Sequence, residues 1–359
     1  MPIDFDVKRW EKIKDDARRW WTGDLKRPLI HLRLYGADPG RPEPALSKMP
    51  RTASYGFAVS THAIVDRWDY DLSCITYLGD AFPAIIPDFG PGVIAAFMGG
   101  KTVVAYDTVW FQPQTDTPIN QLTFQPDVQN PWFLHVKELM MCGLERWQGQ
   151  VQLGMTDLGG NLDILSSFRP GEKLLLDLYD DPEHVKKRTW DAHKAWWFYF
   201  DAFNAVLQPV NPGYTAWTPI FSEDPYYMLQ CDFCFMIGPD MFDAFVKPEL
   251  SASCKRLTNP FYHLDGPGQL PHLDSLLTIP ELKGVQWVPG SGQPDVTHWA
   301  HVYRKIRDAG KFIQFFGTMA TFESVVAQLG SAEGIVFLGT EPISREAEVI
   351  SFLKKYGAA

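Results

Sequence analysis

The sequence predicts an α/β protein, a (β/α)8 TIM barrel of parallel strands preceded by an N-terminal extension of helix and loop. Two observations carry the prediction. From residue 82 onward, short apolar runs alternate with helical segments, the pattern of a parallel sheet buried between helices. Nearly every such run ends in or beside a polar group: Asp88, Asp157, Glu223, Asp265, Gln286 and Glu341. An open sheet would gather such groups at one switch point, whereas a barrel distributes them over all its strand ends. The 359 residues suit one large barrel, with residues 1–80 as the extension and 81–359 as the barrel.

Taken in order, residues 5–22 read as an amphipathic helix dense in Trp, Arg and Lys. Residues 29–35 (LIHLRLY) alternate like a strand within the extension, and 36–52 are Pro- and Gly-rich loop. Residues 60–72 are helical. Residues 82–89 (FPAIIPDF) form the first barrel strand, with Asp88 at its tip. The stretch 91–130 is a Gly/Pro/Thr-rich insertion holding Trp110 and Phe111; connections this long are usually lids or binding loops. A helix over 131–147 leads to the strand 151–158 (VQLGMTDL), which ends in Asp157 and is followed by Gly159, Gly160 and then Asp163. Residues 170–180 and 182–207 are helical, the second opened by Pro182 at its first position. Residues 214–221 (YTAWTPIF) read as the third strand, running into Glu223 and Asp224. A helix over 239–257 opens at Pro239. Strands follow at 261–265, 285–288, 311–316 and 334–338, with helices at 296–309, 321–329 and 344–356. That makes seven strands from residue 82; an eighth is not evident.

Composition excludes several classes of function. The net charge is −10 with no basic run, which argues against nucleic acid and anionic membranes. The apolar runs fall short of the roughly 18 residues that span a bilayer. The N-terminal residues are charged and helical in pattern, unlike a secretion signal. Five cysteines, an odd count spread along the chain, do not make a disulfide framework, so a reducing cytoplasm is the expected setting. Cys231 and Cys234 form a lone CxxC that reads as buried thiols. No GxGxxG follows the first strand and no P-loop occurs, which leaves nucleotide sites unsupported.

The stretch 261–290 is the richest in chemistry. His263 and Asp265 alternate on one strand and so share a face. His272, Asp274, Gln286 and Trp287 fall within the same βαβ unit. An imidazole beneath a carboxylate at a strand end can bind a metal or relay a proton. Asp88, Asp157, Glu223 and Asp265 are the candidate catalytic acids. Trp110, Phe111, Asp163, His272, Gln286 and Trp287 are the candidate substrate contacts.

Several segments resemble the uroporphyrinogen decarboxylase superfamily, which includes corrinoid-linked methyltransferases. FPAIIPDFG resembles that family's strand with a catalytic Asp, and VQLGMTDLGGNLDIL its Gly-rich turn. MIGPDMFDAFVKPEL is similar to its SPE-x-F-x-x-F-x-x-P helix, and GIVFLGTEPISREAEVISFLKKY to its closing strand and helix. The resemblance spans about residues 80–357 and implies a TIM barrel with its site at the strand ends. The chain lacks the decarboxylase's Arg-Gln-Ala-Gly-Arg run, and its closing strand ends in Gly339-Thr340-Glu341 in place of Gly-His-Gly. An acidic pocket would repel a polyanionic porphyrinogen, so true decarboxylation is disfavoured. The methyltransferases bind zinc through His-x-Cys and a further Cys. This chain places His263, Asp265 and Glu341 at the corresponding positions, a harder set that suits Zn, Mn or Fe(II).

Methyl transfer from a small donor to a corrinoid protein or a thiol is therefore the expected function, with a divalent metal in the barrel and any corrinoid on a separate partner protein. Glycoside cleavage by paired carboxylates is the alternative from another enzyme class, and a non-catalytic binding barrel the third. The expected partners are a small-molecule substrate, the corrinoid protein and a second copy of the chain in a homodimer.

Overall fold

The computed structural model describes residues 3–106 and 108–359. Its strands are β1 (Leu29–Tyr35), β2 (Ile75–Gly79), β3 (Ala84–Ile85), β4 (Lys101–Val104), β5 (Val109–Gln112), β6 (Gln152–Leu153), β7 (Tyr226–Gln230), β8 (Asn259–Asp265), β9 (Gly284–Val288), β10 (Phe312–Phe316) and β11 (Ile335–Pro342). One sheet runs β2-β1-β11-β10-β9-β8-β7. All its neighbours are parallel except β2, which runs antiparallel along β1. β3 and β6 form a separate parallel pair, and β4 and β5 a hairpin. Among the described residues the hydrogen-bonded ladder does not close on itself.

Several features differ from the sequence reading. The strand Ile75–Gly79 was not expected, and the strands expected over 82–89 and 151–158 are laddered only at Ala84–Ile85 and Gln152–Leu153. Leu29–Tyr35, expected as a strand of an extension, sits inside the main sheet, paired along its whole length with the last strand. Residues 214–221 are not a ladder strand. Pro219 has no N–H to donate, and the segment makes only an isolated bridge between Tyr214 and Ser222. It lies along β6 instead: Met155 N donates to Thr215 O (2.9 Å), and Gln152 Nε2 to Gly213 O (2.8 Å). The true strand there is β7, five consecutive buried residues. The helix expected over 239–257 is broken at Val246 into Pro239–Phe245 and Lys247–Arg256, because Pro248 cannot donate to the helical ladder.

The helix Val7–Trp21 closes the N-terminal end of the strands. Asp6 caps it, accepting from Arg9 N at 2.9 Å. Trp20 stacks on Phe312 with ring centres 4.1 Å apart, and Trp10 packs against Phe82 at 5.4 Å. Trp21 meets Phe261 at 5.7 Å, and its indole donates to Phe221 O at 2.9 Å. These rings fill the strand starts, with a side cleft of about 300 Å³ beside Trp20, Phe312 and Arg307. Gln230 and Asp265 lie at the other, C-terminal end of their strands. No helix among the described residues is long and apolar enough to cross a membrane.

Candidate functional site at the C-terminal strand ends

Strand β8 directs Phe261, His263 and Asp265 to one face, from the tryptophan-filled floor up to the mouth. Gly266, at φ 76°, then turns the chain away, its N–H bonded to Val288 O at 2.8 Å. The neighbouring β7 ends at Gln230, and the turn beyond it carries Asp232. Asp232, His263 and Asp265 each offer a ligand atom, and these atoms lie within 4.8 Å of one another. His263 Nδ1 is hydrogen-bonded to Gln286 Oε1 on β9. That bond fixes the ring and leaves Nε2 as its remaining nitrogen. Trp217 meets the imidazole edge-on, with centres 4.9 Å apart. Burial lowers the His263 pKa, with Asp265 opposing the effect, which favours the neutral ring that can ligate.

Two further acids flank this trio. Asp163 accepts from Phe233 N (2.7 Å), Asp232 N (3.1 Å) and Gly160 N (3.2 Å), so it fixes the turn that presents Asp232. Gly160 is required by contact: a Cβ there would lie 2.2 Å from Gln230 O and 2.5 Å from Asp163 Oδ2. Lost hydration, and then the charge of Asp232, raise the Asp163 carboxyl. Lost hydration, and then Asp265, raise that of Asp232. Asp157 accepts from Gln230 Nε2 and Gly159 N, both at 2.9 Å, and burial pushes it up to about 7. A cleft of about 550 Å³ opens beside these groups, lined by Asp163, Asp232, Gln230, Trp110, Phe111 and Met236 among others. Trp110 and Phe111 come from β5, so the 91–130 insertion reaches the site through its hairpin. Trp110 is 61% exposed.

Other candidates lie elsewhere. Asp88 is ion-paired with Arg51 at 2.9 Å and borders a different cleft. Glu223 pairs with Arg18 at 2.8 Å, on the helix that closes the opposite end. Glu341 is ion-paired with Arg345 and stands opposite Leu34 in the ladder, apart from His263 and Asp265; the third group beside those two is Asp232. Trp287 is buried on the face of β9 opposite Gln286, against Trp299 at 5.0 Å. His272 is buried too: its Nε2 bonds Cys234 O at 2.9 Å and its ring stacks on Phe242. Asp274 pairs with Lys305 at 2.7 Å. The sequence reading missed Asp232, Gln230 and Trp217. The available signal was the apolar run YYMLQ immediately before Cys231, which as a strand places Gln230 and Asp232 at its end.

Fold and site together define a class: an α/β protein with a central parallel sheet and a cluster of carboxylates and imidazole at the C-terminal strand ends. A methyltransferase from Methanosarcina mazei has this fold. It covers 96% of this chain and 99% of its own length, with a TM-score of 0.60 and 11% identity. An enolase protein from Sargasso Sea environmental sequencing overlaps 60% of this chain and 54% of its own at 10% identity, with a TM-score of 0.25 that is too low to bear on the fold. No family model matches the sequence, and no curated protein does.

Proposed function

We propose that this chain is a metal-dependent methyltransferase acting on a small molecule, built on a TIM barrel of the uroporphyrinogen decarboxylase type. The observation that carries the reading is the trio Asp232, His263 and Asp265, set in a fold that a methyltransferase shares over nearly its whole length. The six parallel strands of the main sheet, β1 and β7–β11, with the parallel pair β3–β6, would supply its wall.

The donor set fits a divalent ion. One imidazole and two carboxylates suit Zn, Mn or Fe(II). Gln286 gives His263 the outer hydrogen bond that ligating histidines usually carry. The two like-charged acids raise each other's cost when empty, and a cation removes that cost. A bound metal would supply Lewis acidity, activating a thiol or polarising the atom that carries the methyl group. Asp163 holds the Asp232 turn in place. Asp157, with its pKa near neutrality, can keep a proton on its carboxyl and deliver it to the atom that loses the methyl group. Trp110 and Phe111 shield the cleft from water. Glycoside cleavage is the weaker reading, since Asp88, Glu223 and Glu341 are each tied to an arginine.

The test has two parts. Elemental analysis of protein purified without chelator or His tag should find about one equivalent of a divalent metal. Incubation with a reduced corrinoid protein and a panel of O-, N- and S-methyl donors should change the cobalamin spectrum, or methylate an added thiol. Metal below about a tenth of an equivalent, or silence across the whole panel, would sink the proposal.

A further inference from the structure

One side chain joins the two loops that carry the carboxylates of the trio. Asp232 opens the turn Asp232–Met236 after β7; Asp265 ends β8, which passes through Gly266 into the turn Pro267–His272. His272 closes the second turn and reaches back to the first, its Nε2 2.9 Å from Cys234 O. A carbonyl oxygen only accepts, so Nε2 carries the proton and donates it. Among the described residues Nδ1 has no partner, so this is the ring's one hydrogen bond. The ring is 1% exposed and stacks on Phe242 at 4.8 Å. Packing alone would be met by an apolar side chain, without burying two ring nitrogens. The two turns also touch elsewhere: the Phe235 ring covers Gly268, where a Cβ would collide with it. Tyr262 OH donates to Gln269 Oε1 at 3.3 Å, which ties the second turn to β8.

We infer that His272 is a positioning residue: its hydrogen bond locks the Asp232 turn to the loop that follows Asp265 and so sets the spacing of the two carboxylates. The inference rests on reading the trio as a metal site. Asp163 and His272 grip the turn by opposite kinds of group. Asp163 accepts from the N–H groups of Asp232 and Phe233, and His272 donates to the carbonyl of Cys234. Held by its N–H groups and by its carbonyl, the turn resists the rotation that would swing the Asp232 side chain away from Asp265. A ligand fixed beforehand does not have to be ordered when an ion binds, and the ion is held more tightly for it. Cys234 O also accepts from Ile237 N at 3.3 Å, so the turn keeps its own bond when the imidazole is removed.

Substitutions at His272 separate the bond from the ring. His272→Phe keeps the stack on Phe242 and loses the donor. His272→Gln keeps an N–H donor and loses the stack. His272→Leu loses both and is the second donorless variant. Zn²⁺ affinity of the full-length chain is measured in competition with a fluorescent chelator, and amide exchange across residues 231–237 is followed in the same chain without added metal. His272→Phe should bind Zn²⁺ at least about tenfold more weakly, the scale of removing an outer-shell partner. It should exchange faster over 231–237 while melting close to the wild type. His272→Gln should recover most of the affinity and protection yet melt at a lower temperature, since the stack is gone. Undiminished Zn²⁺ affinity or unchanged exchange in a folded donorless variant overturns the inference. So does an equal loss in His272→Gln and His272→Phe, which would assign the effect to packing. A wild-type chain that binds no Zn²⁺ refutes the metal reading instead. Exchange then decides on the lock alone: faster in His272→Phe than in His272→Gln supports it, and equal in the two overturns it.

Discussion

Replacing Asp157 by Asn should make the protein more stable and less active, and the gain should depend on pH. The Asp157 carboxyl is raised from 3.8 to about 7, chiefly by burial. The folded chain therefore holds this proton to higher pH than the unfolded chain does. The group costs nothing below about pH 4, its cost grows as pH rises through the interval, and it is complete above about 7. The full difference corresponds to about 4 kcal/mol. Partial exposure and screening reduce that to about 2 kcal/mol. Asn keeps an oxygen for Gln230 Nε2 and Gly159 N and carries no charge. In urea denaturation with matched m-values, its advantage over the wild type should grow by about 1 kcal/mol between pH 5 and pH 8. Methyl transfer should fall at least about 100-fold, the scale of a general acid. A pH-independent stability difference, or a variant weaker than wild type at pH 8, would show that Gln230 and the backbone donors hold Asp157 ionised, and would remove it from the proton-transfer role.

His263→Ala and Asp232→Ala should each take metal content from about one equivalent to below a tenth, while Glu341→Gln leaves it unchanged; elemental analysis of the three decides between Asp232 and Glu341 as the third ligand. Cys231→Ala and Cys234→Ala should lower the unfolding free energy by about 1–2 kcal/mol and leave turnover intact, since burial holds both thiols protonated; folded but inactive variants would restore thiolate chemistry to the site. Trp20→Ala should cost about 3–5 kcal/mol, because the ring is 1% exposed and stacked on Phe312; a loss under about 1 kcal/mol in denaturant unfolding would mean that the N-terminal helix is not part of the folded core.

The strand carrying His263 and Asp265 was legible because FYHLD is followed at once by Gly-Pro-Gly, so its end and its face could both be read. Helix starts at residues 131, 182 and 239 were legible from a proline at the first position. Strand β7 was not. Buried on both faces, it shows no period of two, and the acids before it mimic a helix start. Residues 214–221 imitated a strand through their threonines and aromatics, and only Pro219 spoke against them. That exchange moved the strand tip from Asp232 to Glu223. Glu341 failed for a related reason. In IVFLG both faces are apolar, so the sequence does not say which of Thr340 and Glu341 faces inward. The pairing of β1 with the last strand was beyond reach, since the two lie at opposite ends of the chain.

That pairing sets a schedule for biosynthesis. Leu29 is hydrogen-bonded in register beside Val336, roughly 300 residues later. At ribosomal rates of about 5–20 residues per second, the first strand waits on the order of 15–60 s for its neighbour. During that time LIHLRLY presents an unpaired edge on the side away from β2, although the tryptophans of the helix before it can already pack on Phe82, Phe261 and Phe312. Nascent chains stalled before residue 335 should accordingly be held by chaperones at that edge. Protection should arrive in one late step, once the last strand has left the exit tunnel.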